Sequence, residues 1–320
     1  MKSKLRKDEK LMRPVRPNAG IEAEYRRKLY ALIDDLTASV QRWITAAYRT
    51  AEPKMAQDDA LDAPHIAGVN VGGSRPWIAT VDGEPLRTSK GLPVRFATEA
   101  AAVRAAKLAV GALLPADELQ LAMSDLGEYW LGRFDLASER MAKWFSRSTA
   151  RRTDEQMRTI LREGGFTVKF NPTPEHLDVL RASVHENVAL IRSIPEQYLK
   201  NVEGMVMRSV QRGRDVGGLA KELQRQYGIT KRRAALIARD QNSKATSAYQ
   251  EARRKSLGIT EAIWLHSHGG KTPRPTHVAM DGKRYKVAEG MYDPAEGRRV
   301  FPGELISCRC VSRSIIPGLD

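Results

Sequence analysis

Cysteine is scarce in this 320-residue chain and concentrated in one place. Both thiols, Cys308 and Cys310, lie in the stretch FPGELISCRC at 301–310, one arginine apart. On an extended strand, residues i and i+2 point to the same face, so this spacing predicts two sulfurs side by side, a ready chelating pair. A disulfide between them is disfavoured, because Cα atoms two apart on such a strand sit near the limit of about 6.8 Å and their side chains run parallel. Zinc takes about four ligands, and His266, His268 and His277 are the nearby imidazoles. The candidate set is His277, Cys308 and Cys310, with His266 to complete it; His266 and His268 share a strand face of their own. The alternative is that the cysteines are small buried hydrophobes and His277 hydrogen-bonds a turn.

Such a set also suggests a zinc hydrolase, in which three protein ligands leave a position for an activated water. That chemistry needs a general base. No H-E-x-x-H or H-x-E…C-x-x-C pattern is present, and Asp281, Glu289, Asp293 and Glu304 lie in loops without a recognisable arrangement. Phosphate-loop and Gly-x-Ser-x-Gly fingerprints are missing as well. The Gly-rich run RGRDVGG opens a helix without the lysine of a nucleotide cradle and reads as a turn and cap. We expect no catalytic residues, no enzyme and no small-molecule substrate.

Charge points to the partner class. The chain has 53 Lys and Arg against 38 Asp and Glu, a net charge of +15, which favours a polyanion. The basic cluster Lys2, Lys4, Arg6, Lys7, Lys10, Arg13 and Arg16 is the candidate phosphate-contacting set, read as part of a disordered tail at 1–17. No apolar core follows that cluster as an export signal requires, and no apolar run is long and uncharged enough to span a bilayer. Scarce cysteine fits a reducing compartment.

The elements that must position these groups are mostly helical. Ile21, Tyr25, Leu29, Leu32, Leu36, Val40, Trp43 and Ala47 recur at steps of three and four, the stripe of a long amphipathic helix within 18–64. Residues 65–114 read as an inserted ββα unit, with Asp82-Gly83 as a hairpin turn and Thr98 capping an Ala-rich helix. A helical region at 115–204 follows, opened by Pro115, stopped once at Gly164-Gly165 and bent or broken at Pro195. Within 205–320, Asp215 caps one helix that ends at Gly228, and Thr230 caps a second that ends at Gly258, a helical hairpin. EAIWLHSHGG and GKRYKV then read as strands among Gly- and Pro-rich turns. The predicted class is α+β and predominantly helical: long N-terminal helices, the small inserted unit, the hairpin, then a small strand-and-loop region.

One further signal lies in the order of the C-terminal pieces. RRAALIARDQNSKATSAYQEARRKSLGI, then Trp264, then PRPTHVAMDGK, then FPGELISCRC resembles the phage Mu F-like head morphogenesis family, the minor head proteins of tailed bacteriophages. Trp264, Arg274, His277, Gly282, Pro302, Cys308 and Cys310 fall on the family's motif residues. IARD stands where the family often has IART, and Gly270-Lys271-Thr272-Pro273 stands where many members carry an acidic residue before the motif arginine. The resemblance implies a virion protein inside the phage head near the portal vertex, present in the host cytoplasm during procapsid assembly. The partners implied are the portal protein, the major capsid or scaffolding protein and packaged DNA, with no membrane. Two other functions are consistent with the residues, a general DNA-binding protein using the basic ends and the ββα unit, and a zinc-dependent enzyme or toxin-like effector.

Overall fold

The computed structural model describes residues 5–50, 65–88, 91–109, 115–213, 215–269 and 272–317. Along the chain run β1 (Glu9–Leu11), α1 (Ala19–Thr50), β2 (Ile66–Asn70), β3 (Trp77–Val81), β4 (Glu84–Pro85), β5 (Arg95–Phe96), α2 (Glu99–Ala109), α3 (Pro115–Glu163), α4 (Pro174–Gln211) and α5 (Val216–Ser256). After them come β6 (Glu261–Leu265), α6 (Pro275–Met280), β7 (Arg284–Lys286), β8 (Met291–Asp293), β9 (Arg298–Val300) and β10 (Val311–Pro317). The protein is α+β and predominantly helical, and none of the described helices is long and apolar enough to cross a membrane.

The chain divides into two compact units. One comprises Met1–Leu36, Leu131–Tyr198 and Gln226–Asp320, the other Thr37–Trp130 and Leu199–Arg225. In the second unit, β2, β3 and β4 form an antiparallel sheet, and β5 also pairs with β3. The β3–β4 turn is Asp82-Gly83, both at positive φ (51° and 83°), the conformation a two-residue hairpin demands. The Ala101 N–H donates to Thr98 Oγ1 at the start of α2. Ala102 and Ala106 of α2 pack on Ala79, flanked by Trp77, Val81 and Phe96. Helix and sheet approach closely enough that a Cβ at Gly68 would stand 2.8 Å from Glu99 Cγ.

The first unit joins long helices to a four-stranded antiparallel sheet of order β1-β10-β6-β7. Tyr25 of α1 stacks on Phe145 of α3, with ring centroids 4.5 Å apart. Its hydroxyl donates to Asn187 Oδ1 of α4 at 2.9 Å, and Asn187 Nδ2 donates to Gln241 Oε1 of α5 at 3.1 Å. A buried polar chain thus fixes the register of three helices against one another, since a slip would strand each group without a partner.

Three sequence expectations are corrected, and the bend or break expected at Pro195 is narrowed to an unbroken helix. Residues 5–17 are not a disordered tail. β1 pairs with β10 (Lys10 opposite Ile316), and Met12 and Val15 are buried with Met157 and Ile160. The few apolar residues suffice because β10 presents an open edge and the end of α3 an apolar surface. The helical hairpin is one continuous helix, α5. Thr230 Oγ1 donates back to the Gln226 carbonyl at 2.9 Å instead of capping a new start, and buried Leu219, Leu223, Gln226, Thr230 and Ala234 run unbroken past Gly228. Likewise α4 runs through Pro195 without ending. The buried stripe of α1 is Tyr25, Leu29, Ile33, Leu36, Val40 and Ile44, so Ile33 and Ile44 take the places expected for Leu32 and Trp43.

Candidate metal centre

The site is built where α6, the β8–β9 hairpin and the segment before β10 meet beneath Trp264. The Arg274-Pro275 start sets α6, whose six residues bury His277 and Met280. Trp264 of β6 lies fully buried with its ring edge-on to His277, centroids 5.1 Å apart. α5 braces the loop that delivers the cysteines: Ser247 Oγ donates to the Pro302 carbonyl at 2.6 Å, and the Ser307 N–H donates to Asp240 Oδ1 at 2.7 Å. Arg274 Nη2 donates to the Ile306 carbonyl at 3.0 Å. Gly303 takes φ +87°, and a Cβ there would press on the Ser243 and Cys310 carbonyls at 3.3 and 3.4 Å; only glycine makes that turn without strain.

His277 Nδ1 lies 3.4 Å from Cys308 Sγ and 3.6 Å from Cys310 Sγ. All three side chains are buried, and their ligand atoms fall within 4.8 Å of one another. On the far side of the ring, His277 Nε2 is 3.3 Å from Asp293 Oδ2, without the alignment of a hydrogen bond. Asp293 is fully buried and accepts from Thr276 Oγ1 (3.1 Å) and from the Ala295 N–H (2.9 Å). The two thiols are electrostatically unequal. A hydrogen bond from Cys310 holds the Cys308 thiol down to about 4 against the opposing effect of burial, with His277 and the Gly303 N–H contributing. The same bond, reinforced by burial, pushes Cys310 up.

The structure therefore brings together His277, Cys308 and Cys310. It leaves out His266, because β6 ends at Leu265 and His268 turns the chain at φ 51°. His266 and His268 do not share a strand face; their rings pack edge to face at 4.6 Å, and His266 Nδ1 accepts the His268 N–H at 3.2 Å. Asp281 holds this turn through the His266 N–H (2.8 Å) and His268 Nε2 (3.3 Å). The cysteines precede β10 instead of lying in it, and Ser307 just before them takes φ 60°. Sequence reasoning passed over Asp240 and Ser247 and saw Asp293 only as one of several loop carboxylates, because their roles depend on partners far away in the chain.

Among the basic N-terminal residues, Lys2 and Lys4 lie outside the described residues. Arg6 and Lys7 are exposed. Lys10 Nζ donates to the Gly164 carbonyl at 3.3 Å, and Arg13 forms a two-pronged pair with Glu163 at 2.9 and 2.6 Å. The Arg16 backbone is held by Gln156. Lys10 and Arg13 are thus engaged within the molecule.

The family model for phage Mu protein F like protein matches residues 200–313. An uncharacterized protein of Haemophilus influenzae is 34% identical over 148 residues, 46% of this chain and 31% of that relative, so the chain spans about a third of the relative's length. No solved structure matches. The matched residues 200–313, the segment that carries Trp264, His277 and both cysteines, are similar to the phage Mu protein F like family.

Proposed function

We propose that the protein is a minor structural component of a tailed-phage head, acting in procapsid assembly near the portal vertex. One observation carries this reading: the family's motif residues are turned inward on one another. Trp264, His277, Pro302, Cys308 and Cys310 are buried, and Arg274 is tied to the backbone of the cysteine loop. Residues kept for catalysis would line a cleft; residues kept to hold a fold pack in this way. The portal protein and the major capsid or scaffolding protein are the partners, and the net charge of +15 suits a position beside packaged DNA. No reaction is assigned to it. The test is co-expression with the portal and capsid proteins of the same phage, followed by particle purification. Incorporation at a few copies per particle is expected; a chain that never enters particles overturns the proposal, and one that binds duplex DNA alone but not the portal favours a general DNA-binding protein.

A further inference from the structure

We propose that His277 Nδ1, Cys308 Sγ and Cys310 Sγ bind one zinc ion, with Asp293 orienting the imidazole from behind, and that this ion clips α6, the β8–β9 hairpin and the C-terminal strand together. The distances are the first argument. Around a tetrahedral zinc with Zn–S of about 2.3 Å and Zn–N of about 2.0–2.1 Å, sulfur and nitrogen stand about 3.5 Å apart; here they are 3.4 and 3.6 Å. A single imidazole lone pair serves one hydrogen bond well. Two sulfurs nearly equidistant from one nitrogen are better explained as corners of a shared coordination sphere.

The second argument is the far side of the ring. A metal-bound imidazole commonly has a carboxylate beside its other nitrogen, which fixes the tautomer and strengthens the ligand. Asp293 stands there, fully buried and itself held by Thr276 and Ala295. The donor set of two thiolates and one imidazole suits a borderline-soft cation such as zinc, not calcium or magnesium. Two thiolates also neutralise a divalent ion, which matters in a site closed to solvent.

Three protein ligands with a fourth corner is also the count of hydrolytic zinc sites. Here no further His, Cys, Asp or Glu joins the group among the described residues, and Asp293 is behind the imidazole, where it cannot deprotonate a water on the metal. The ion is structural, held by three protein ligands with no carboxylate placed to activate a water. It joins segments with little secondary structure of their own: α6 has six residues, and β8 and β9 three each.

The full chain, purified under reducing conditions without chelator, should contain about one zinc per molecule by elemental analysis. Replacing zinc by cobalt(II) should give the intense thiolate-to-cobalt absorption and the visible bands of a tetrahedral site. C308S, C310S and H277A should lose the metal and H266A should keep it, while D293N should bind it about 10–100-fold more weakly. Because the cysteines are core residues, the wild-type cobalt spectrum, which needs no substitution, decides the case. Folded wild-type protein that holds no zinc and gives no thiolate–cobalt band overturns the site. Loss of metal in H266A overturns the three-ligand assignment.

Discussion

His277 and Asp293 face each other across 3.3 Å with neither reaching solvent. The Asp293 carboxylate also accepts from Thr276 and from the backbone of Ala295, so it ties the start of α6 to the β8–β9 turn. Asp293→Ala leaves both donors without their acceptor in a dry interior. Each such orphan costs about 1–3 kcal/mol, and the expected result is a fall in unfolding free energy of that order by urea denaturation. Asp293→Asn, which keeps an acceptor oxygen, should cost less.

Arg254 forms a second buried node. It is fully buried and donates to Glu251 at 2.6 Å, Ser314 Oγ at 2.9 Å and Ser312 Oγ at 2.8 Å, fastening α5 to β10. Removing one partner of a buried ion pair strands the other, typically at about 3–5 kcal/mol. Arg254→Ala should therefore destabilise the protein by about that much. Replacing Arg254 by Met and Glu251 by Leu together should cost clearly less than the single change, because no charge is left alone; a double-mutant cycle in urea measures the difference.

The parts of the fold set by neighbouring residues were legible in the sequence. Asp215 caps α5 through the Gly218 N–H at 2.8 Å, Gly258 ends it at φ 69° and Asp82-Gly83 makes its turn, because each needs only the residues beside it. Gly228 misled for the opposite reason: a continuous buried stripe outweighs one weak helix former. The pairing of β1 with β10 joins residues some 300 positions apart, and no local pattern announces it. At the candidate centre, residue type and spacing identified Cys308, Cys310 and His277. Asp293 carried no signal, because a carboxylate before Pro-Ala-Glu-Gly looks like any turn residue until His277 is placed against it.

Acid should loosen the N-terminal anchor. Glu9 accepts from Arg284 at 2.6 and 2.9 Å, and that guanidinium, helped by the Arg6 backbone N–H, holds the carboxyl down to about 2. Its unfolded value is about 4.3. A carboxylate depressed in the folded state contributes stability that is fully present above the unfolded value and is lost as pH falls through the folded one. Exchange protection of the Met12 amide, which donates to the Ser314 carbonyl at 3.0 Å, should therefore fall between about pH 4 and pH 2 in the wild type. Glu9→Gln should show weaker protection at pH 6 and little further loss over that window.

Gly228 gives the sharpest test of the long helix. Its neighbours Gln226 and Thr230 are bonded within α5, and a Cβ at position 228 would meet only the end of the Arg232 side chain, at an ordinary 3.5 Å. Glycine inside a helix is less favourable than alanine by about 0.8–1.0 kcal/mol, and alanine also narrows the unfolded ensemble. Gly228→Ala should thus stabilise the protein by up to about 1 kcal/mol, read as a higher urea midpoint with an unchanged slope. A turn at this position would give the opposite sign, since a glycine ending a helix takes positive φ, where alanine is strained. The direction of the midpoint shift alone distinguishes one continuous α5 from two helices joined at Gly228.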